Sequence, residues 1–224
     1  MNNVLNYFFL IFFGFLPSLI WLIFYLKRDP RPEPKKLIFK IFLLGMVVTL
    51  PVFLLEKIIY EKFYFSITFS FLGAAFIEEF FKFLVVKEKV LKDPEFDQPI
   101  DAMIYMIVSA LGFAAIENIL VLFRFTREGF MIFKILILRF FGATFLHTLC
   151  SGIIGFFLGL SFFKEKERGK LVLLGFLLAV PLHGFYNFSI LKEKGEFLIP
   201  LILMGSTIFI FFAFKKLKEI EKNL

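Results

Sequence analysis

Residues 4–26 read VLNYFFLIFFGFLPSLIWLIFYL, a run of 23 residues that contains no charged side chain. An α-helix needs about 20 predominantly apolar residues to cross the hydrocarbon core of a bilayer. The run therefore predicts a membrane-spanning helix. Lys27-Arg28-Asp29-Pro30 follows it in place of a small-residue cleavage site, and no basic residue precedes it. We therefore expect a retained span and not a cleaved signal peptide.

Six further apolar runs of similar length follow along the chain. We predict seven spans in all, at residues 4–26, 37–55, 65–86, 100–123, 135–163, 171–191 and 197–214. These spans leave only short loops and a short tail, so residues 1–224 are expected to form a single transmembrane domain. The predicted fold class is an all-α, polytopic membrane helix bundle.

Composition excludes several classes of protein. The chain has 224 residues, of which 59% are hydrophobic and 38 are Phe, and its mean hydropathy is +0.85. A soluble domain is usually about 45–50% apolar, so the excess excludes a soluble globular enzyme. It equally excludes a disordered chain. The single cysteine, Cys150, excludes a disulfide framework and any multi-cysteine metal site.

The distribution of basic residues predicts the orientation of the bundle. Loops 27–40, 87–92 and 164–170 and the tail after residue 214 hold 17 Lys and Arg, whereas the alternate loops hold 7. Cytoplasmic loops carry the excess of basic residues, so we expect the N-terminus outside and the C-terminus in the cytoplasm. The net charge of +7 is then expected to face the anionic lipid of a prokaryotic plasma membrane, and not nucleic acid.

Ionisable side chains inside the spans are the candidates for function. Such groups are costly at bilayer depth and usually mark functional sites. Both histidines of the chain are among them. The full set is Glu78, Glu79, Lys82, Asp101, Glu117, Arg139, His147 and His183.

The third span combines two adjacent carboxylates with one lysine. Lys82 follows Glu78 by four residues and Glu79 by three, so it shares a helix face with both. One lysine neutralises one carboxylate, and the other needs a second cation, a proton or a water molecule. Neighbouring carboxylates in a medium of low dielectric hold protons unequally, which suits general acid–base chemistry. A buried ion pair that fixes helix packing is the alternative interpretation.

Two other spans add histidine. His183 and Asn187 lie four residues apart on one face, and both can donate hydrogen bonds to a developing oxyanion. A polar clasp between helices is the alternative interpretation. Arg139 and His147 lie on roughly one side of the fifth span, where Arg139 is expected to pair with an intramembrane glutamate or to lie near the outer rim. Glu117 lies deep in its span and needs a partner across the bundle.

Small and capping residues on these spans favour structural roles. Ser151, Gly155 and Gly159 recur every four residues and predict close helix packing. Asp97 is expected to cap the fourth span, and a structural role is favoured for Asp101 near the cytoplasmic rim.

The ordered set of motifs resembles the PrsW intramembrane proteases, which are related to the CAAX prenyl endopeptidases and the Abi membrane proteins. The resemblance covers residues 76–187 and implies site-1 cleavage of a membrane-anchored regulator, typically an anti-sigma factor, near the extracytoplasmic face. The CAAX enzymes have a histidine at the position of Glu117, so only the PrsW pattern is matched there. The motifs are Glu78-Glu79-x-x-Lys82, Phe113-x-x-x-Glu117-Asn118, His147 and His183-x-x-x-Asn187.

We therefore expect an intramembrane endopeptidase without a cofactor. Glu78 is expected to act as general base on a water molecule, which His147 or Glu117 also holds, while His183 and Asn187 stabilise the oxyanion. The catalytic candidates are Glu78, Glu79, Glu117, His147, His183 and Asn187, and the candidates for tuning the site or binding substrate are Lys82, Asn118 and Arg139.

Three alternatives use the same sequence features. A zinc ion could be held by Glu78, Glu117, His147 and His183, although the chain lacks a His-Glu-x-x-His motif. A proton-coupled transporter could use the buried acids and histidines as a relay. A non-catalytic scaffold could bind partner helices through the glycine-rich fifth span. The sequence predicts neither the oligomeric state nor the identity of the substrate.

Overall fold

A computed structural model describes residues 3–62, 66–124, 129–191 and 198–222 of the chain. Within these ranges the chain is almost entirely helical and contains no β-strand, which confirms the all-α prediction. A π-helical turn, Arg139–Ala143, joins the fifth helix to the sixth without a break, and a 3-10 turn precedes the seventh. The helices are α1 (Asn3–Leu26), α2 (Lys35–Lys62), α3 (Ile67–Lys89), α4 (Pro99–Arg124), α5 (Gly129–Leu138), α6 (Thr144–Leu160), α7 (Arg168–Leu191) and α8 (Leu198–Lys222).

Six of the seven predicted spans match stretches of the described residues that are long and apolar enough to cross a membrane. The remaining one, predicted at 65–86, forms α3. That helix is 23 residues long, but three charged residues near its middle, Glu78, Glu79 and Lys82, interrupt the apolar run. The six stretches are Tyr7–Leu26, Lys35–Lys62, Pro99–Arg124, Ile132–Leu160, Glu165–Ile190 and Leu198–Lys222.

Helix α4 forms the centre of the bundle. It packs against α6, α2 and α1, and every residue from 99 to 115 is buried. A helix that is apolar on all sides is stable where other helices or lipid surround it, and here other helices do. Large apolar side chains on the outer faces of α2 and α8, such as Leu50 and Phe211, are exposed and would face lipid.

Glycines bring the helix backbones around α4 into contact. A Cβ atom at Gly45 of α2 would collide with the carbonyl oxygen of Ser109, and one at Gly112 of α4 would collide with that of Phe42. Gly155 lies against the backbone of α4 in the same way, as the small-residue pattern of the fifth span predicts. These contacts fix the rotation of α2 and α6 about their axes relative to α4.

The π turn between α5 and α6 adds a residue to one helical turn. Such turns leave a backbone carbonyl without its usual partner and are frequent at functional sites. Here the indole Nε1 of Trp21 donates to the carbonyl oxygen of Phe140 at 3.0 Å. Helix α1 therefore supports the turn that carries Arg139 toward the interior.

Candidate active site

Helix α3 contributes the two adjacent carboxylates and the lysine. All three residues are buried, with exposed fractions of 5% for Glu78 and 0% for Glu79 and Lys82. The Nζ atom of Lys82 donates to Oε1 of Glu79 at 2.8 Å and to Oε2 of Glu78 at 3.3 Å. One ammonium group therefore serves both carboxylates, as their spacing predicts.

Helix α6 brings His147 to this group. Nε2 of His147 lies 2.7 Å from Oε2 of Glu117 on α4. Nδ1 lies 2.9 Å from Nζ of Lys82 and 3.7 Å from Oε2 of Glu78. One ring nitrogen is thus held by a carboxylate, and the other faces both Lys82 and Glu78.

Helix α7 contributes His183, which also has a carboxylate on one ring nitrogen and Glu78 near the other, but with the two nitrogens exchanged relative to His147. Nδ1 of His183 lies 3.0 Å from Oε1 of Glu79, and Nε2 lies 3.7 Å from Oε2 of Glu78. The ring centroids of His147 and His183 are 4.9 Å apart. Both imidazoles therefore converge on the carboxylate of Glu78.

Arg139 pairs with Glu117, an intramembrane glutamate of the kind that the sequence predicts as its partner. Its Nη2 lies 2.6 Å from Oε2 of Glu117 and its Nη1 3.3 Å from Oε1, while Nε donates to Oδ1 of Asn118 at 2.6 Å. Asn118 in turn donates to Thr144 at the start of α6. Glu117 thus orients His147 from the side away from Glu78, and Asn118 holds Arg139 beside Glu117.

The structure gives two further polar residues, Asn187 and Ser151, surroundings that differ from those expected from the sequence. Asn187 is half-buried one turn beyond His183, and its side chain has no hydrogen-bond partner among the residues that the structure describes. Its role as an oxyanion donor stays a prediction. Ser151, interpreted as a packing residue, instead donates to Oε2 of Glu79 at 2.5 Å.

Glu56 of α2 is a member of the site that the sequence analysis missed. Its carboxyl group lies close enough to that of Glu78 for the two to interact electrostatically. The predicted second span ends at residue 55, so Glu56 was assigned to a loop. The signal that could have found it is the continuation of the apolar pattern through Ile58 and Ile59.

Three of these side chains form a group that could hold a metal ion. Glu78, His147 and His183 each offer one ligand atom, and all three atoms lie within 4.8 Å of one another. Catalytic zinc sites commonly have three such ligands, and each histidine ligand usually gives its other nitrogen to a carboxylate. Glu117, included in the predicted ligand set, lies on the far side of His147 and fills this supporting position.

The local charges leave room for a cation. Glu78, Glu79 and Glu117 supply three carboxylates, whereas Lys82 and Arg139 supply two permanent positive charges. Glu56 adds a further carboxyl group beside Glu78. A buried excess of acidic groups is stable only if protons or a bound cation offset it.

The fold and this centre define a polytopic membrane protein whose buried acids and histidines can activate water. A family model described as "PrsW family intramembrane metalloprotease" matches residues 33–214. Curated relatives named "Protease PrsW" match as well. The one from Oceanobacillus iheyensis is 33% identical and covers 94% of this chain and 95% of its own length. The one from Geobacillus kaustophilus is 32% identical and covers 81% and 80%.

The relative from Bacillus subtilis, also named "Protease PrsW", is 31% identical and covers 74% of each chain. No solved structure matches significantly. The chain belongs to the PrsW family of intramembrane proteases. This confirms the resemblance that its motifs indicate, and it makes the chain a multi-pass protease of the cell membrane.

Proposed function

We propose that this chain hydrolyses a peptide bond of a membrane-anchored protein at the centre formed by Glu78, His147 and His183, and that these side chains hold a zinc ion. The observation that carries the proposal is the position of Glu78, which lies 3.7 Å from one nitrogen of each histidine. Zinc, when bound, polarises a carbonyl group and lets water act as a nucleophile at neutral pH.

The supporting residues fit this assignment. The carboxylates of Glu117 and Glu79 occupy the second nitrogen of His147 and of His183, which sets the tautomer and orientation of each ring. Lys82 is the competitor, because a lone pair on His147 that accepts a proton from an ammonium group cannot bind a metal. The shortest contact of Lys82 with a carboxylate is the one with Glu79, at 2.8 Å. Glu79 can therefore hold the ammonium group when a metal ion occupies Nδ1 of His147.

Proton transfer is assigned to the carboxyl groups beside the centre. The attacking water must lose a proton as its oxygen bonds to the carbonyl carbon, and the leaving nitrogen must gain one as the peptide bond breaks. We assign to Glu56, whose carboxyl group lies near that of Glu78, the acceptance of the first proton and its delivery to the nitrogen. We assign to Asn187, one turn from His183 on α7, the donation of a hydrogen bond to the oxyanion.

The position of the centre along the helices supports the class of substrate. Glu56 and Glu117 lie in the C-terminal halves of α2 and α4, which run outward in the orientation predicted from the basic loops. We therefore place the cleavage in the outer half of the bilayer. This depth fits site-1 cleavage of a single-span regulator of the anti-sigma-factor type, whose own helix must unwind locally to expose a carbonyl group.

The test is cleavage of a library of single-span reporters in proteoliposomes by the wild type, Glu78→Gln and His183→Ala. Glu61→Gln is the matched control, because Glu61 is an exposed acid of α2. We expect cleavage by the wild type and the control only, abolished by a membrane-permeant chelator and restored by zinc. Cleavage that survives complete metal removal but not Glu78→Gln would overturn the metal and support Glu78 as the base. Cleavage by Glu78→Gln would overturn the site.

A further inference from the structure

A second group of acidic side chains lies at the other end of α4. Asp29 and Glu33 come from the connection between α1 and α2, and Asp101 comes from the first turn of α4. Each offers one ligand atom, and the three atoms lie within 4.8 Å of one another. Asp101 and Glu117 are 16 residues apart on α4, about 24 Å along the helix axis, so this cluster is separate from the histidine centre.

Two carboxylate oxygens in the cluster are buried without a hydrogen-bond donor. Asp101 is 0% exposed, and its Oδ2 accepts from the backbone N–H groups of Asp97 and Gln98 at 3.0 and 2.7 Å. Asp29 is 7% exposed, and its Oδ1 accepts from the N–H of Arg31 at 2.9 Å. Among the described residues no donor reaches Oδ1 of Asp101 or Oδ2 of Asp29.

The carboxyl group of Glu33 lies beside that of Asp101. An oxygen atom of each lies within 4.8 Å of the other, although carboxylates are both acceptors and need a proton or a cation between them. Tyr105 donates its hydroxyl hydrogen to Glu33 and thereby leaves that carboxylate one oxygen for another partner. The arrangement therefore directs acceptor atoms from three residues toward one another, and a positive species between them would satisfy all three.

Nearby basic side chains do not supply that charge. The guanidinium of Arg31 pairs with Glu221 of α8 at 2.9 Å. Lys218 of α8 lies near Asp29, but no ion pair joins the two side chains. Burial raises the pKa of the Asp29 and Glu33 carboxyl groups, which shows that ionising them here without a partner is costly.

We propose that Asp29, Glu33 and Asp101 bind a hard divalent cation, of the class of Mg²⁺ and Ca²⁺. The donors are all oxygen atoms, which these cations prefer, whereas the histidine centre suits zinc. The bound cation would join the α1–α2 connection to the start of α4, and the Arg31–Glu221 ion pair extends that link to α8. The proposal does not depend on the proteolytic mechanism.

The test is equilibrium binding of ⁴⁵Ca²⁺ to the full-length protein in neutral detergent after treatment with EDTA, with Mg²⁺ as competitor. Free Ca²⁺ is raised to about 10 mM, above the dissociation constants of the weakest protein calcium sites. We expect one ion per chain in the wild type and in His183→Ala, because the second variant alters only the histidine centre. Asp101→Asn should weaken binding at least tenfold.

The matched control is Glu95→Gln, which removes an exposed acid from the loop before α4 and should bind Ca²⁺ like the wild type. If Asp101→Asn fails to fold, Asp29→Asn provides the same test. Absence of saturable binding to the wild type would overturn the proposal and leave shared protons as the means of neutralising the cluster. Unchanged binding in folded Asp101→Asn and Asp29→Asn would overturn it equally.

Discussion

The Nδ1 atom of His183 lies 3.0 Å from Oε1 of Glu79, and this contact leaves Nε2 of the same ring facing Glu78 at 3.7 Å. A carboxylate on one imidazole nitrogen fixes which nitrogen carries the proton and makes the other a better ligand or acceptor. His147 shows the same relation with Glu117 and Glu78, although with its two nitrogens exchanged. The position of Glu78 between two oriented rings is therefore the feature on which the proposed chemistry depends.

The first prediction concerns Glu79. Glu79→Gln should lower zinc affinity and cleavage about 10–100-fold, because an amide supports the His183 ring less well than a carboxylate does. Zinc titration and initial cleavage rates measure this change. Ser151→Ala is the control, since it removes a hydrogen bond to Glu79 and keeps the carboxylate. A folded Glu79→Gln protein with wild-type zinc affinity would contradict the orienting role.

The second prediction concerns Glu56. Glu56→Gln should lower the cleavage rate about 100-fold or more, because the amide cannot accept the proton of the attacking water. Zinc affinity should stay close to that of the wild type, because Glu56 lies near Glu78 but is not one of the three ligands. Loss of zinc binding together with activity would show that Glu56 supports the metal instead. Glu61→Gln again serves as the control on α2.

The third prediction separates stability from activity at the Arg139–Glu117 pair. Arg139→Met should lower the free energy of unfolding by about 2 kcal/mol, because it leaves Glu117 partly buried without its main counter-charge. The double variant Arg139→Met/Glu117→Met should recover much of that loss. It should remain inactive, because His147 then lacks its carboxylate. Denaturant unfolding in detergent and cleavage assays distinguish the two effects, and an active double variant would refute the orienting role of Glu117.

The fourth prediction concerns the contact between α2 and α4. Gly45→Ala and Gly112→Ala should each destabilise the protein by about 1–3 kcal/mol, since the added methyl group meets backbone that cannot easily move. Gly205→Ala in α8 is the matched control, because a Cβ there has no neighbour within 4 Å among the described residues. It should be neutral or slightly stabilising, since alanine favours helix. Thermal unfolding of the three variants measures the difference.

Much of the fold was predictable, because the free energy of transferring a helix into the membrane is approximately the sum of contributions from consecutive residues. The apolar runs located the long helices, and the predicted span at 100–123 differs from α4 by one residue at each end. The third span is the informative exception. Its charges lie inside the bundle on one side of α3, so the helix packs with α2 and α7 although three charged residues interrupt its apolar run.

Much of the site was also predictable, because an ionisable group inside a span has few explanations other than function. The sequence alone determined that Glu78, His147 and His183 would lie at membrane depth. It did not determine that Glu117 supports His147 from behind, that Glu56 lies near Glu78, or that Asp29 lies near Asp101. Each of these pairs joins residues that are far apart in sequence.

What only the tertiary structure decided is therefore which ionisable groups touch. Which groups touch depends on how each helix is rotated and how far it is shifted along its axis. Rotation and shift are in turn set by close backbone contacts, such as that of Gly112 with Phe42, and by the π turn before His147. Hydrophobicity accumulates residue by residue along the chain, so the sequence alone locates the spans. A contact depends on two helices at once, and only their packing brings the acids and histidines to a common centre.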